Sequence, residues 1–135
     1  MTLTRVVAVV FAIMTAGVVV FQLALALGAP WGSFAMGGAF PGLFPPVMRI
    51  AALLQAAFLT FTALVVLSRS GVMLQSWNHL SAWAIWVVVG LGAVALVLNA
   101  ITPSAGERAI WLPVAALLLA CSLTVAIRTR KHPGA

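Results

Sequence analysis

The 135-residue chain is 64% hydrophobic and 6% charged, with a net charge of +6 and a mean hydropathy of +1.23. A soluble domain carries about 25% charged residues, so this inventory cannot build a water-facing surface. Soluble dinucleotide-binding folds, zinc modules and nucleic-acid binders are excluded, the last despite a pI near 12.0, because the seven Lys/Arg are scattered between apolar runs. A single cysteine, Cys121, permits neither an internal disulfide nor a Cys-based metal cluster.

The charges divide the chain into membrane-sized pieces. Between Arg5 and Arg49 lie 43 uncharged residues, between Arg49 and Arg69 19, between Arg69 and Glu107 37, and between Arg108 and Arg128 again 19. A helix rises about 1.5 Å per residue, so roughly 20 residues cross a hydrocarbon core of about 30 Å. The spacing predicts spans at about 5–28, 49–69, 79–101 and 106–128, with helix plus loop in the longest stretch. The ten-residue alternation of a β-barrel strand is absent. The expected fold is all-α, a single integral membrane domain over 1–135 built as a membrane-spanning four-helix bundle, with an apolar Gly/Pro-rich loop between helices 1 and 2.

Four spans put both termini on one side. With the N-terminus inside, Arg5, Arg69, Arg128, Arg130 and Lys131 collect on the inner side, and Arg49 and Arg108 on the outer. This bias predicts a multi-pass protein of the cell membrane with cytoplasmic termini. Trp31 and Trp111 fall near the outer interface and Trp77 near the inner one, with Trp83 and Trp86 a turn or two deeper. The first span resembles a signal peptide in its basic start and in Ala24-Leu25-Ala26. Its apolar run, Val6 to Leu27, has 22 residues, longer than the h-region of about 7–15, so the expectation is a retained helix.

The two halves share a plan: an amide near the outer end of the first helix (Gln22, Asn99), a proline turn, then a helix with Arg at both ends. Any two hairpins in one bilayer have Arg at both interfaces, and that is the simpler account. Residues 28–48 hold five glycines and four prolines, which prevent a continuous helix. The same segment carries Trp31, Phe34, Phe40 and Phe44, too many aromatics for a solvated linker. It reads either as an interfacial cap that seals the bundle or as a lid over a pocket.

The run Gly28-Ala29-Pro30-Trp31-Gly32, followed by Gly37-Gly38, Pro45-Pro46 and Arg49, resembles a group of small bacterial membrane proteins with four helices and no assigned activity. The second outer loop, Ser104-x-x-Glu107-Arg108 followed by Trp111 and Pro113, is similar to theirs as well. A basic residue often follows the Gly-Gly pair in that pattern; here the position is Ala39. The resemblance implies the fold and brings no ligand, cofactor or catalytic residue.

No ionisable side chain falls in the middle of a span, which argues against a proton- or ion-coupled pump. Glu107, the sole acid, fits a capping box with Ser104; an ion pair with Arg49 or a ligand contact are the alternatives. Gln22, Gln55 and Asn99, on three helices, are placed in one outer-leaflet layer below Arg49 and Glu107. Thr15 and Gln22 share a helix face at i, i+7, as do Gln55 and Thr62. Ser81, Ile85, Val88, Gly92, Ala95 and Asn99 form a small and polar stripe suited to close helix contact. These amides either bond one another across the bundle or line a wet pocket. Pro113 frees the carbonyl of Ala109 and is expected to kink helix 4. Cys121 reads as a packing residue, and His79 and His132 are too far apart for a metal motif. The basic tail from Arg128 to Lys131 suits an anionic leaflet, at about 1 kcal/mol per basic residue.

The inventory therefore points to a non-enzymatic membrane bundle without a cofactor, a structural unit that packs against a membrane partner or itself. The alternative is binding or passage of a small neutral or apolar molecule through the polar layer. Beyond the lipid bilayer no partner class is implied, and nucleic acid is not one. The topology has a direct check. In a Cys121→Ser background, a single cysteine at position 33 should react with an impermeant thiol reagent in intact cells, and one at position 76 should not; reaction at 76 alone would invert the orientation.

Overall fold

The structure is a computed structural model and describes residues 2–130; Lys131 and His132 lie outside the described residues. Four long helices form the fold: α1 (Leu3–Leu27), α2 (Pro46–Ser70), α3 (Asn78–Ile101) and α4 (Ala105–Thr129). Each is long and apolar enough to cross a membrane, so the protein is an all-α, multi-pass membrane bundle. The 28–45 loop and the 102–104 turn share one end, called here the loop end. The helix termini Leu3 and Thr129 and the 71–77 connection share the other, the terminal end, where Arg128 Nε donates to Thr4 Oγ1 at 3.0 Å.

The helix ends are written in the sequence. Thr2 caps α1 by accepting the amide of Arg5 at 3.3 Å. Gly28 (φ 106°) and Gly71 (φ 83°) end α1 and α2 in the left-handed conformation. Glycine enters that region without a Cβ penalty, and the amides of Ala29 and Val72 then close onto Ala24 and Leu67 carbonyls at 2.8 and 3.1 Å. α2 begins at Pro46 rather than at Arg49, because Pro46 occupies the first turn, where a missing N–H costs nothing. α4 runs on through Pro113 to Thr129.

Packing is uneven along the bundle axis. α1 packs most extensively on α2, and α3 on α4, while α2 and α3 make the sparsest contact between neighbouring helices. The terminal half is solid. Phe11, Val65, Val66, Ile85 and Val125 interdigitate there, with Ser68, Ser81 and Ser122 buried among them. The three serine hydroxyls donate to backbone carbonyls (Leu74, Asn78 and Leu119), which meets their bonding needs without water. Arg69, expected at an interface, is buried; its Nε and Nη2 donate to Thr129 Oγ1 and O at 3.1 and 2.8 Å, closing the last turn of α4. At the loop end only a small cluster of Leu25, Phe44 and Ala52 is packed, between α1 and α2.

Candidate functional site: a roofed cavity at the loop end

The 28–45 loop is the roof. It makes two short 3-10 turns, Gly32–Phe34 and Met36–Gly38, and folds back so that the Gly32 amide donates to the Gly42 carbonyl at 2.9 Å. A Cβ at position 32 would collide with the Phe40 carbonyl, so this crossing requires glycine. Met36 (φ 52°), Gly37 (φ 66°) and Gly38 (φ 77°) form a left-handed run. For Met36 that conformation costs about 1–2 kcal/mol, so contacts elsewhere must hold it.

Those contacts come from the start of α4. Glu107 Oε2 accepts the Gly37 amide at 2.8 Å, Ser104 Oγ donates to the Ser33 carbonyl at 2.8 Å, and Trp111 Nε1 donates to the Phe34 carbonyl at 2.8 Å. Gly106 lets the Phe34 ring approach, since a Cβ there would come within 2.6 Å of it. The aromatic residues extend the seam: Trp31 stacks on Phe21, and Phe21 meets Trp111 edge-on with centroids 4.7 Å apart.

The capping box is half formed. Ser104 Oγ accepts the Glu107 amide at 3.1 Å, as expected, but the Ser104 amide donates to Thr102 Oγ1 and the carboxylate reaches across to the loop. Nor does Glu107 pair with Arg49. Arg49 Nε donates to the Phe44 carbonyl at 3.0 Å, and its guanidinium lies beside the C-terminal end of α1, where a Cβ built on Gly28 would be 3.6 Å away. A cation is favoured there by the helix dipole.

Beneath the roof lies a half-open cavity of about 760 Å³, lined by residues of all four helices. Its lining is mostly apolar, with Gln22, Gln55, Asn99, Glu107, Thr15 and Thr62 as widely spaced polar points. The faces read from the sequence hold: Thr15 with Gln22, and Gln55 with Thr62, all turn to the cavity. The α3 stripe divides. Ser81 and Ile85 are buried in the solid half, Val88 lies at the junction, and Gly92, Ala95 and Asn99 line the cavity.

The amides do not bond one another. Asn99 Nδ2 donates to the carbonyl of Ala95 in its own helix at 2.7 Å, while Gln22 and Gln55 have no protein partner. Along their helices Asn99 lies about 3 Å, Gln22 about 7.5 Å and Gln55 about 13.5 Å from the loop-end terminus, at 1.5 Å per residue. Thr15 is 1% exposed and its Oγ1 has no hydrogen-bond partner.

Of the four expected lid aromatics, Phe34 and Phe44 line the cavity, Phe40 meets Phe44 edge-on, and Trp31 stacks on Phe21. Sequence reasoning passed over Phe58, Leu91, Val94 and Leu98, which also face the cavity. Phe58 stands three residues after Gln55 and four before Thr62, so its face was readable from helical spacing. Among the described residues no group of three His, Cys, Asp or Glu could hold a metal ion. No protein family, curated protein or solved structure matches this chain.

The latch yields a prediction. Glu107→Ala removes the charged acceptor of the Gly37 amide, a bond of a type worth about 1.5–3 kcal/mol. Hydrogen exchange at Gly37 should rise roughly tenfold or more. Glu107→Gln, which keeps an acceptor oxygen, should lie much closer to wild type. Equal effects of the two substitutions would mean that the carboxylate does not hold the loop.

Proposed function

We propose that the protein binds a small, uncharged, largely apolar molecule in the cavity beneath the 28–45 loop. The observation that carries this reading is the pair of amides, Gln22 and Gln55, that face the cavity without protein partners. At membrane depth an unsatisfied polar group costs several kcal/mol, roughly, so such groups call for water or a ligand. The cavity volume, about 760 Å³, falls within the range of small-molecule sites, roughly 300–1,000 Å³, and an apolar lining with a few fixed polar groups is their usual composition.

Binding rather than catalysis is the role these groups support. Glu107 on the cavity wall has one oxygen committed to the Gly37 amide, and no nucleophile–base pair accompanies it. A purely structural or partner-packing bundle, the role that composition alone favours, gives no reason for unpaired amides around a hollow. The basic residues support placement in the cell membrane with cytoplasmic termini and the loop outside: Arg5, Arg69, Arg128, Arg130 and Lys131 stand against Arg49 and Arg108.

The test is a stability and binding pair. Gln55→Leu in detergent-purified protein should leave the melting temperature unchanged or slightly raised, because no protein partner is orphaned. Against a panel of monoacylglycerol, long-chain alcohol and short-chain quinone, wild type should be stabilised by one class, and both Gln22→Leu and Gln55→Leu should reduce that shift. A lowered basal melting temperature for Gln55→Leu, non-additive with Asn99→Leu, would instead place these amides in a packed network and overturn the reading.

A further inference from the structure

The cavity walls differ in one respect that the binding reading does not use. Every lining residue from α1 and α4 is buried or half-buried, from Phe11 and Thr15 to Trp111 and Ser122. On α2 and α3, by contrast, several lining residues are exposed. Phe58 is 47% exposed, Val94 55% and Leu98 57%, and Gln55 is exposed beside them. These residues edge the one neighbouring pair of helices in sparse contact, while Val65 and Val66 of α2 and Ile85 and Val88 of α3 share the core cluster of the solid half. The open side of the cavity is therefore a slot between the loop-end halves of α2 and α3. It faces sideways, at a depth where the surroundings are lipid. The roof, by contrast, is tied to α4 on the far side from this slot by three hydrogen bonds.

We infer that the ligand reaches the cavity laterally from the bilayer through the α2–α3 slot, and that it is a single-chain amphiphile with an uncharged head bearing a hydroxyl or carbonyl. This rests on the binding reading and adds the route and the ligand class. The slot is edged by hydrocarbon side chains, which a lipid-dissolved chain crosses without losing its surroundings. Gln55 at the slot and Gln22 on the opposite wall each offer a donor and an acceptor. The Thr15 hydroxyl, though unpartnered, is buried out of reach beneath the floor, so the two amides are the polar groups at mid-cavity that a head can meet. A phosphate head would find no cation to neutralise it and would be repelled by the Glu107 carboxylate, since neither Arg49 nor Arg108 lines the cavity. A cationic head would have to compete with the Gly37 amide for that same carboxylate.

The experiment uses the full chain in phosphatidylcholine vesicles and a monoacylglycerol carrying a diazirine in its acyl chain, with photo-adducts mapped by mass spectrometry. Adducts should appear on deep wall residues such as Val88 and Leu118 and disappear with excess unlabelled monoacylglycerol. Val94→Trp and Leu98→Trp, both at the slot edge, should slow adduct formation at least fivefold. Val20→Trp, on the lipid-facing side of α1, should leave it at the wild-type rate. If both slot variants label at the wild-type rate while Glu107→Ala, which unties the roof, labels several-fold faster, the ligand passes under the loop. The lateral route is then wrong while binding stands. Stronger competition by a dodecyl trimethylammonium or dodecyl phosphate than by monoacylglycerol would overturn the uncharged head. Absence of any competable adduct on the cavity wall would overturn the route and the binding reading together.

Discussion

The arrangement depends on one constraint: an irregular, apolar loop at the end of a membrane bundle must find partners for its backbone polar groups within the protein. The 28–45 segment cannot be a helix, because its glycines and prolines forbid one, and its aromatics keep it against the bundle. It meets the constraint by bonding across to α4 as well as to α2, where Arg49 Nε donates to the Phe44 carbonyl. Ser104, Glu107 and Trp111 take up Ser33, Gly37 and Phe34. The loop thus spans the bundle mouth instead of collapsing between α1 and α2. That span is what leaves space beneath it.

Helix C-termini meet the same requirement with arginine. Arg49 lies beside the end of α1 at Gly28, Arg5 beside the end of α2 at Gly71, and Arg69 donates to the last turn of α4 at Thr129. A cation in such a place contributes about 0.3–1 kcal/mol when exposed, and more when partly buried. The arginines that mark the span boundaries in the sequence therefore also tie one helix to another. The serines of the solid half are bonded to backbone carbonyls as well. Among the described residues, Arg69 Nη1 at the terminal end and the Thr15 hydroxyl on the cavity floor are buried side-chain atoms without a hydrogen-bond partner.

Helix positions were legible because they depend on local quantities: charge spacing, glycine at the ends of α1 and α2, and Ser104 before α4. Which faces turn inward was legible for Thr15, Gln22, Gln55 and Thr62 from helical spacing alone. What those faces meet was not. Gln22 and Gln55 find open space because the roof spans the loop end and because Ala95 on the cavity wall is small, a matter of volumes on separate helices. Glu107 misled for a related reason. Ser104 and Glu107 have the spacing of a closed capping box, but the stronger claim on the carboxylate comes from Gly37, 70 residues away in the chain. Arg69 reads as a boundary charge, and its burial follows only from the placement of Thr129.

The central claim is that one bundle has a solid half and a hollow half, and paired overpacking substitutions separate these most directly. Ala8 is fully buried in the terminal core, whereas Ala95 faces the cavity. Adding methylenes to a filled core costs about 1–3 kcal/mol, whereas adding them to a void restores contacts. Measured by unfolding in the same detergent, Ala8→Leu should be destabilised by about that amount, and Ala95→Leu should be as stable as wild type or more so. Equal destabilisation by the two would mean that the loop end is as tightly filled as the terminal end, and the hollow half would not exist.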